Sequence, residues 1–453
     1  MRRPVGRRTP GHAVSGGLPG EGLTAVDLFA GAGGASLGLA GAGLDLLLAV
    51  DAHEQYAATH QANLPGRFLR ADLRGVDSAK LLALAGVAPG ELDVLFAGPP
   101  CQGFSMIGQR VVWDERNNLF AEVLRLARDT RPRAVVIENV PGLLTLGGGA
   151  YLRAILAGLA DAGYVPAVAE LLAAQYGAPQ MRWRVIVVAW RADLGIDPGY
   201  GFPVPTHGRA GIGALLPNVT IGPGDLAGFL TARDALADLP EIAAGEQADT
   251  YTGPPSTEYQ RAMREGLSGE LYNHYAARLS PQNLARIRLL APGQDWRDLP
   301  HELLPPGMQR ALRKDHTRRY RRMTWNGVPR SVITRFRDPK SGEYTHPEQD
   351  RTLSIREAAR LQGFPDRFQL LGDRTSQYEQ VGNAVPVPLA EAVAAEVARC
   401  LRGQPGPRLE DPFRRRPVAA IGYRGELLPE AAGAPGPGSP APVAGVPAVA
   451  APA

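Results

Sequence analysis

One cysteine stands in a setting that favours chemistry. Cys101 lies in the run GPPCQGFS, residues 98–105, directly after the apolar segment 92–97. The thiolate is the form of cysteine that attacks electrophiles, and it needs a polar, partly electropositive surrounding. Two prolines stiffen the backbone before Cys101, and Gly103 follows shortly after it. The pattern therefore predicts a nucleophile and not a buried, inert cysteine.

A carboxyl group and two guanidinium groups accompany later apolar runs. Glu138 opens the sequence ENVPG directly after the apolar run 134–137. A glutamate at such a place could act as an acid, or as a hydrogen-bond donor when protonated. Arg182 and Arg184 are separated by one residue in the run QMRWR, so alternation along an extended chain points them to the same side. There they could hold a carbonyl oxygen and a phosphate or carboxylate.

A glycine-rich turn near the start predicts a site for a small ligand. The run DLFAGAGG, residues 27–34, closes the first apolar segment, and Asp51 follows the second one about twenty residues later. Such a carboxylate can hold a ribose diol. An NAD fingerprint would need a glycine where this chain has Ser36, whereas Phe29 beside the glycines suits an adenine-bearing ligand without a pyrophosphate. Asp72, after a third short segment, extends the pattern.

These side chains need a scaffold that brings strand ends together. Apolar runs at residues 25–29, 46–50, 94–97, 134–137 and 184–190 are typical of buried parallel strands, and helical patterns lie between them. The alternation predicts an α/β fold with a doubly wound, mostly parallel sheet. In such a sheet the carboxyl ends of the strands meet at one edge, where ligands bind.

Changes in composition and in apolar periodicity along the chain predict five regions. Between the α/β pattern and the helical residues near 354, proline and glycine are frequent and periodicity is weak. The regions are a disordered tail at 1–22, an α/β domain at 23–191, a smaller irregular domain at 192–349, a return segment completing the α/β domain at 350–403, and a disordered tail rich in proline, alanine and glycine at 404–453.

Composition narrows the class of protein. The net charge is +4, but only three lysines stand among the 49 basic residues, a bias typical of GC-rich coding, so net charge alone says little. The placement of charge says more, because residues 310–337 carry ten basic residues, one acid and interleaved aromatic residues, which favours contact with nucleic acid.

Two cysteines, Cys101 and Cys400, suit a reducing cytosol and form no zinc-type cluster. No apolar run is long enough to span a membrane, and residues 1–22 lack the apolar core of a secretory signal.

Six motifs in a fixed order closely resemble those of the DNA cytosine-5 methyltransferases. The resemblance extends over about residues 23 to 403. The motifs are DLFAGAGG at 27–34, PCQGFS at 100–105, ENV at 138–140, QMRWR at 180–184, REAARLQGFP at 356–365 and QVGNAVP at 380–386.

The resemblance implies a covalent mechanism and assigns roles to the catalytic candidates. Cys101 would add to carbon 6 of cytosine, making carbon 5 nucleophilic enough to accept a methyl group from S-adenosylmethionine. Glu138 would hold the ring nitrogen and the exocyclic amine, and Arg184 the carbonyl oxygen, with Arg182 in support. Because the target atom is inaccessible in a stacked duplex, the base would be flipped out. The segment 102–117 would close over it, with Gln109 or Arg110 filling the vacated stack.

The resemblance also implies binding residues. Phe29 would lie against the adenine, Asp51 would hold the ribose, Asp72 the adenine amine, and Leu119 would pack on the base. Asn383 would approach the methionine end, and the helix after it would return beside the first strand. The full set of cofactor-binding candidates is Asp27, Phe29, Gly31, Gly33, Gly34, Asp51, Asp72, Leu119 and Asn383.

The region 192–349 falls where the family has its target-recognition domain. The DNA-binding candidates are Ser105, Arg319, Arg321 and Arg322. Thr334 and the run 346–348 also resemble residues of the family at corresponding places, and the sequence favours a scaffold role for them.

Two alternatives to a DNA methyltransferase are an enzyme that acts on RNA and a DNA-binding protein without catalytic activity. The RNA-directed branch of the family carries a Cys-Phe-Thr signature that is absent here. A catalytically silent DNA-binding protein would not need the complete set of chemical residues. The resemblance further implies duplex DNA as a partner, a monomer and a cytoplasmic location, and it allows a cognate restriction endonuclease acting on the same site.

Overall fold

The computed structural model covers most of the chain from Gly22 onward. It describes residues 22–100, 106–107, 110–111, 118–208, 226–310 and 319–408. The predicted terminal tails therefore lie outside the described residues, apart from Gly22 and residues 404–408. So does Cys101 with most of the segment after it.

The described residues contain eleven strands and twelve α-helices. The strands are β1 (Thr24–Leu28), β2 (Asp45–Asp51), β3 (Arg67–Arg70), β4 (Val94–Ala97), β5 (Met106–Ile107), β6 (Arg110–Val111), β7 (Ala134–Asn139), β8 (Tyr164–Leu172), β9 (Trp183–Arg191), β10 (Gln247–Thr250) and β11 (Glu270–Tyr275). The helices are α1 (Gly34–Gly41), α2 (Glu54–Asn63), α3 (Ser78–Ala85), α4 (Asn118–Thr130), α5 (Ala150–Asp161), α6 (Ala232–Leu236), α7 (Glu258–Met263), α8 (Pro281–Arg288), α9 (Pro306–Arg310), α10 (Ile355–Leu361), α11 (Arg374–Asn383) and α12 (Val387–Leu401).

A seven-stranded sheet forms the centre, in the order β3-β2-β1-β4-β7-β9-β8. The pairs from β3 to β7 are parallel, whereas β9 is antiparallel to both β7 and β8. Strand order reverses between β1 and β4, and ligands bind at the carboxyl edge beside such a switch. The prediction of an α/β, mostly parallel, doubly wound sheet is confirmed.

Apolar residues cover both faces of this sheet. Alternation along β1 sends Ala25 into one core and Val26 into the other. The first core packs strands against α1 and α12, and the second packs them against α3, α4 and α5. Burial on both faces explains the continuous apolar runs of β1, β4 and β7. Helix α12 packs against α1 on this face of the sheet, where Gly38 of α1 leaves room for Ala390.

Two features of the sheet differ from the sequence expectation. Residues 184–190 form a strand, but it is antiparallel to its neighbours and not parallel as predicted. The edge strand β8 was not predicted, and Pro166 within it is tolerated because an edge strand leaves one row of backbone groups unpaired. A hairpin of β8 and β9 needs no crossover helix, which explains the reversal of β9.

Buried ion pairs surround α10, and one of them joins it to the region 192–349. The guanidinium of Arg360 contacts Asp366 at 2.6 Å and also pairs with Asp238, and all three side chains are buried. Arg351 binds Glu357 through two bonds of 2.7 Å, and Glu357 also receives the backbone N–H of Ser354 at the start of α10. Removing one partner of such a pair leaves an uncompensated buried charge.

Candidate active site

A cavity of about 730 Å³ opens at the carboxyl edge of the sheet, at the reversal between β1 and β4. This volume lies within the range of sites for small ligands, about 300 to 1,000 Å³. The ends of β1, β2, β4 and β7 line it, together with the end of α11 and part of the segment 331–334. Predicted site residues lining it are Asp27, Phe29, Gly31, Gly34, Asp51, Asp72, Leu119, Glu138, Arg182, Arg184 and Asn383.

The glycine-rich turn after β1 forms the floor of the cavity. Phe29 adopts a φ of 60°, a left-handed conformation that costs a bulky residue about 1 to 3 kcal/mol and is often found at functional sites. A Cβ on Gly34 would lie 2.5 Å from the carbonyl oxygen of Val385. Only glycine therefore lets the turn before α12 approach this closely. Gly33, with a φ of 107°, precedes α1 and does not line the cavity itself.

Backbone amides fix the carboxylate of Asp51 at the end of β2. The N–H of Gly31 donates to its Oδ2 at 2.9 Å, and the N–H of His53 donates to Oδ1 at 2.8 Å. Each carboxylate oxygen keeps a second lone pair for another donor. The geometry is therefore compatible with the predicted contact to a ribose diol.

Asp27 forms the end of a buried hydrogen-bond chain. Ser36 Oγ–H donates to Asp27 Oδ2 at 2.5 Å, and His60 Nε2 lies 2.9 Å from the same Ser36 oxygen. With the serine proton directed to Asp27, the imidazole is the donor to the serine oxygen. Burial raises the pKa of Asp27 to about 7 and lowers the pKa of His60 to about 4. Asp27 Oδ1 is buried at the cavity wall without a hydrogen-bond partner among the described residues.

Asp72 is engaged by a neighbour that sequence reasoning missed. Arg74 contacts both of its carboxylate oxygens, with Nη2 at 2.5 Å from Oδ2, and this bond lowers the pKa of Asp72. Both side chains are about half exposed, so the pair contributes little to stability. An adenine amine at Asp72 would have to share this carboxylate with Arg74.

Tyr56 is a second cavity residue that was not predicted. It lies in the first turn of α2, and burial raises the pKa of its hydroxyl to about 12, with hydrogen bonds to Asn383 and Glu379. The only indication of Tyr56 in the sequence was its position shortly after Asp51, at the end of a strand that reaches the cavity. Asn383 is thereby connected to α2, on the same side as Asp51.

The other end of the cavity contains a buried ion pair. Arg184 Nε lies 2.5 Å from Glu138 Oε1, and both side chains are about one-tenth exposed. Burial lowers the pKa of Arg184, and the Glu138 carboxylate opposes that shift. The pair forms because β9 is antiparallel, which places the start of β9 beside the end of β7. The Asn139 side-chain amide donates to the Pro99 carbonyl at 2.9 Å, connecting β7 to the Pro-Pro segment.

Arg182 is used differently from Arg184. It is 3% exposed, and its two terminal nitrogens donate to oxygens of the segments 331–332 and 382–384. The structure thus gives it a role between segments of the cavity wall, whereas the sequence predicted support for a substrate carbonyl.

Several predicted residues cannot be placed. Cys101 and Ser105 lie outside the described residues, as do Gln109 and the side chain of Arg110 in the predicted closing segment. Pro99 and Pro100, which precede Cys101 in the sequence, line the cavity together with Glu138.

Burial argues against two of the predicted DNA contacts. Arg321 is 4% exposed and pairs with Glu343, and Arg322 is 3% exposed. Arg322 donates to four backbone carbonyls and to the carboxylate of Asp350, so it organises the fold around it. Their neighbours Tyr320 and Met323 are both buried, and such apolar flanking residues were the indication in the sequence that the two arginines are buried.

The exposed basic residues lie elsewhere in the same region. Arg319 is half-buried, while Arg335 and Arg337 are exposed beside the segment 331–334. Thr334 lines the cavity, whereas His346 is buried and accepts backbone N–H groups of the turn after it, as expected of scaffold.

Among the described residues, no group of three His, Cys, Asp or Glu side chains could hold a metal ion. Within the same residues, every helix is too short or too polar to cross a bilayer.

Comparison with known proteins identifies the family. The fold is that of an α/β methyltransferase. The C-5 cytosine-specific DNA methylase family matches residues 23–399, and the chain belongs to this family, which confirms the resemblance deduced from the six motifs. Its relatives include the type II methyltransferase M.AgeI of Thalassovita gelatinovora, 34% identical over 83% of this chain and 99% of the relative. Another is M1.HphI of Haemophilus parahaemolyticus, 34% identical over 83% of this chain and 87% of the relative.

A solved structure supports the fold. It belongs to a protein described as a DNA modification methyltransferase encoded within an E. coli prophage, with a TM-score of 0.62 and 23% identity. The match covers 84% of this chain and 99% of that chain.

Proposed function

We propose that this enzyme transfers a methyl group from S-adenosylmethionine to carbon 5 of a cytosine in duplex DNA. The observation that carries the proposal is the content of the cavity described above. One end holds the buried Glu138–Arg184 pair, and the other holds Phe29 and the oriented carboxylate of Asp51. The two ends suit a base and an adenosine, respectively.

The Glu138–Arg184 pair supports recognition of cytosine. Arg184 fixes Oε1 of Glu138, and Oε2 lies on the side of Gly98, where a Cβ added to that glycine would be 3.7 Å from it. Glu138 is proposed to hold the ring nitrogen and the exocyclic amine of the base. Arg184 then donates to the carbonyl oxygen, because its guanidinium carries more donors than the one that Glu138 occupies.

The remaining residues fit an adenosine with a cationic amino-acid tail. S-adenosylmethionine supplies an electrophilic methyl group when it is bound. Asp51 accepts from the ribose hydroxyls, and Phe29 lies against the adenine. The unpartnered Oδ1 of Asp27 offers an acceptor to the methionine ammonium, since a buried carboxylate oxygen is costly to leave unpaired. Asn383 and Tyr56 lie at the same wall.

Cys101 is the proposed nucleophile. Its thiolate adds to carbon 6, and the electron pair released to carbon 5 forms the new bond to the methyl group. The bond from that methyl group to the sulfonium sulfur breaks, and S-adenosylhomocysteine is the leaving group. Loss of the carbon-5 proton to a base then allows the Cys101–carbon 6 bond to break, which restores the double bond and the thiolate. Cytosine is a weak nucleophile at carbon 5, so covalent activation is needed.

DNA is proposed to approach over the segment 331–334 and the exposed arginines beside it. Arg319 and Arg335 are candidates for phosphate contact, since such contacts need solvent-accessible cations. The base is flipped into the cavity, and the segment 102–117 closes over it. Ser105 on that segment is a further proposed contact.

Relatives named as type II methyltransferases support a modification role. We extend the proposal to a cognate restriction endonuclease acting on the same site and to action as a monomer in the bacterial cytoplasm. The division into a catalytic domain, a recognition domain at 192–349 and a return segment at 350–403 belongs to the same proposal.

Trapping on a fluorinated substrate tests the function. Duplex DNA carrying 5-fluorocytosine cannot lose the carbon-5 substituent as a proton, so the wild type with S-adenosylmethionine should form an adduct that resists denaturation. Cys101→Ala should neither form the adduct nor methylate DNA. Cys400→Ala is the matched control, because that thiol is buried in α12. Methyl transfer to duplex DNA by Cys101→Ala would refute the mechanism, and binding without transfer by the wild type would favour a silent DNA-binding protein.

A further inference from the structure

The guanidinium of Arg182 connects two segments that are distant in the sequence. Nη1 donates to Ser331 Oγ at 3.1 Å and to the carbonyl of Val332. Nη2 donates to the carbonyls of Gly382 at 3.0 Å and Ala384 at 3.2 Å. A planar guanidinium can bind in two directions at once, which an ammonium group cannot do equally well.

The same two segments touch directly at Gly382. A Cβ on this residue would lie 2.5 Å from the carbonyl carbon of Ile333, and it would also overlap the backbone of Thr334. Only a residue without a side chain allows this approach. Ile333, Thr334 and Gly382 all line the cavity, so their contact forms one of its walls.

The residues before Arg182 strengthen this connection. The N–H of Met181 donates to the Pro329 carbonyl at 2.7 Å. Gln180 Oε1 accepts from the N–H of Val332 at 3.1 Å, and its Nε2 donates to the Leu361 carbonyl at 2.7 Å. Residues 180–182 therefore hold the segment 329–332 at three successive positions.

We propose that Arg182 is a positioning residue that couples the DNA-facing segment 331–334 to the cofactor-facing turn 382–384. This inference rests on the proposed function. Both terminal nitrogens of Arg182 are occupied by protein oxygens, whereas Arg184 turns its Nε to Glu138. Arg182 acts on the reaction through the wall that it holds. Order imposed on one segment by its ligand is transmitted to the other, so duplex DNA and cofactor bind with positive coupling.

The coupling can be measured without turnover. The dissociation constant of the cognate duplex is determined with and without saturating S-adenosylhomocysteine, and the ratio of the two values is the coupling factor. For the wild type we expect a factor within the usual range of about 5 to 150. Arg182→Lys should bring the factor towards one, because one ammonium group cannot reach both segments. Arg184→Lys, two residues away, should keep the factor while methyl transfer at saturation falls.

A second variant perturbs the contact without changing any charge. Gly382→Ala places a methyl group against Ile333 and Thr334, and it should lower the coupling factor as Arg182→Lys does. Gly307→Ala is the matched control, because Gly307 also lies in a helix but has open space around its Cβ position. A purely structural role for Arg182 would lower the melting temperature and leave the coupling factor unchanged.

The outcomes separate this inference from the proposed function. An unchanged coupling factor in folded Arg182→Lys, or a wild-type factor of one, overturns the inference. If Arg182→Lys does not fold, the factor in Gly382→Ala decides in the same way. Failure of the wild type to methylate DNA or to be trapped on 5-fluorocytosine overturns the proposed function instead.

Discussion

Substitution of Asp27 by asparagine should change how stability depends on pH. Asp27 is 1% exposed at the cavity wall, and burial raises its pKa to about 7, with the nearby Asp51 carboxylate adding to the rise. The hydrogen bond from Ser36 opposes the shift without cancelling it. An asparagine side chain at this position would have nearly the shape of the protonated acid and no titration.

The magnitude follows from the two pKa values. In the unfolded chain Asp27 titrates near 3.8, and in the folded chain near 7. Its protonation therefore stabilises the folded state fully below pH 3.8, and this stability is lost as pH rises through 7. Each pKa unit corresponds to about 1.4 kcal/mol. Between pH 5 and pH 8 the free energy of unfolding of the wild type should fall by about 2 to 3 kcal/mol relative to Asp27→Asn.

Urea unfolding of both proteins at pH 5, 6, 7 and 8, without cofactor, measures this difference. Burial lowers the pKa of His60 to about 4, so it stays neutral in both folded proteins over this range, and its titration in the unfolded chain is common to both. A difference between the proteins that stays constant within about 0.5 kcal/mol over this range would show that Asp27 is not protonated in the folded state. Equal slopes of free energy against urea concentration are the check that the unfolded states match.

Three other substitutions test separate parts of the structure. Gly34→Ala should weaken S-adenosylmethionine binding, measured by calorimetry, because its Cβ would meet the carbonyl of Val385 at 2.5 Å; unchanged affinity would contradict the close approach. Arg360→Leu should lower the free energy of unfolding by about 3 to 5 kcal/mol, since it removes a shared cation from two buried carboxylates and leaves Asp238 with Arg264 and Asp366 with Arg356; a loss under about 1 kcal/mol in urea unfolding would contradict the buried pairing. Arg322→Ala should lower the melting temperature while the folded protein keeps its DNA affinity, and Arg335→Ala should do the reverse; a loss of DNA affinity in the first variant would restore the sequence-based assignment.

The strands of the sheet could be predicted because their sequences are dominated by burial. Runs such as 94–97 and 134–137 are apolar on both faces, and a central strand of a doubly wound sheet needs that composition. Edge strand β8 gives a weaker signal, because Val165 is exposed and Pro166 interrupts the pattern. The sequence shows the burial of a strand but not its direction, which depends on the connection before it.

The residues at the Phe29 and Asp51 end of the cavity could be predicted to lie together because they follow strands directly. Asp51 ends β2, and its position relative to the glycine-rich turn depends on parallel pairing alone. Arg74 and Tyr56 lie in the helical segments beyond the strand ends, where the rotation of a helix decides which side chain faces the cavity. That rotation depends on tertiary packing, so neither residue could be identified from spacing.

Density of charge was a poor guide to which arginines of the region 192–349 are exposed. Arg322 donates to carbonyl groups at the end of α8, just after it and in the turn 346–349, and backbone carbonyls at such places need donors from outside regular helices and strands. A region with little regular structure therefore uses buried arginines as internal donors. The exposed Arg335 carries the same charge in the same run, and only the fold distinguishes the two.

The antiparallel direction of β9 is what brings the Gln-x-Arg-x-Arg motif to the cavity. A parallel strand in the same place would begin at the amino edge of the sheet, and Arg182 and Arg184 would lie far from Glu138. Because β9 runs back from the hairpin with β8, its first residues meet the last residues of β7, with Asn139 opposite Val185. Arg184 then reaches the carboxylate at the cavity, while Arg182, just before the strand, reaches the segments 331–332 and 382–384. The reversal of β9 thus places Arg184, a predicted base contact, and Arg182, a contact of the cavity wall, two residues apart. Because β9 takes its direction from the hairpin with β8, the geometry of the cavity also depends on this edge strand.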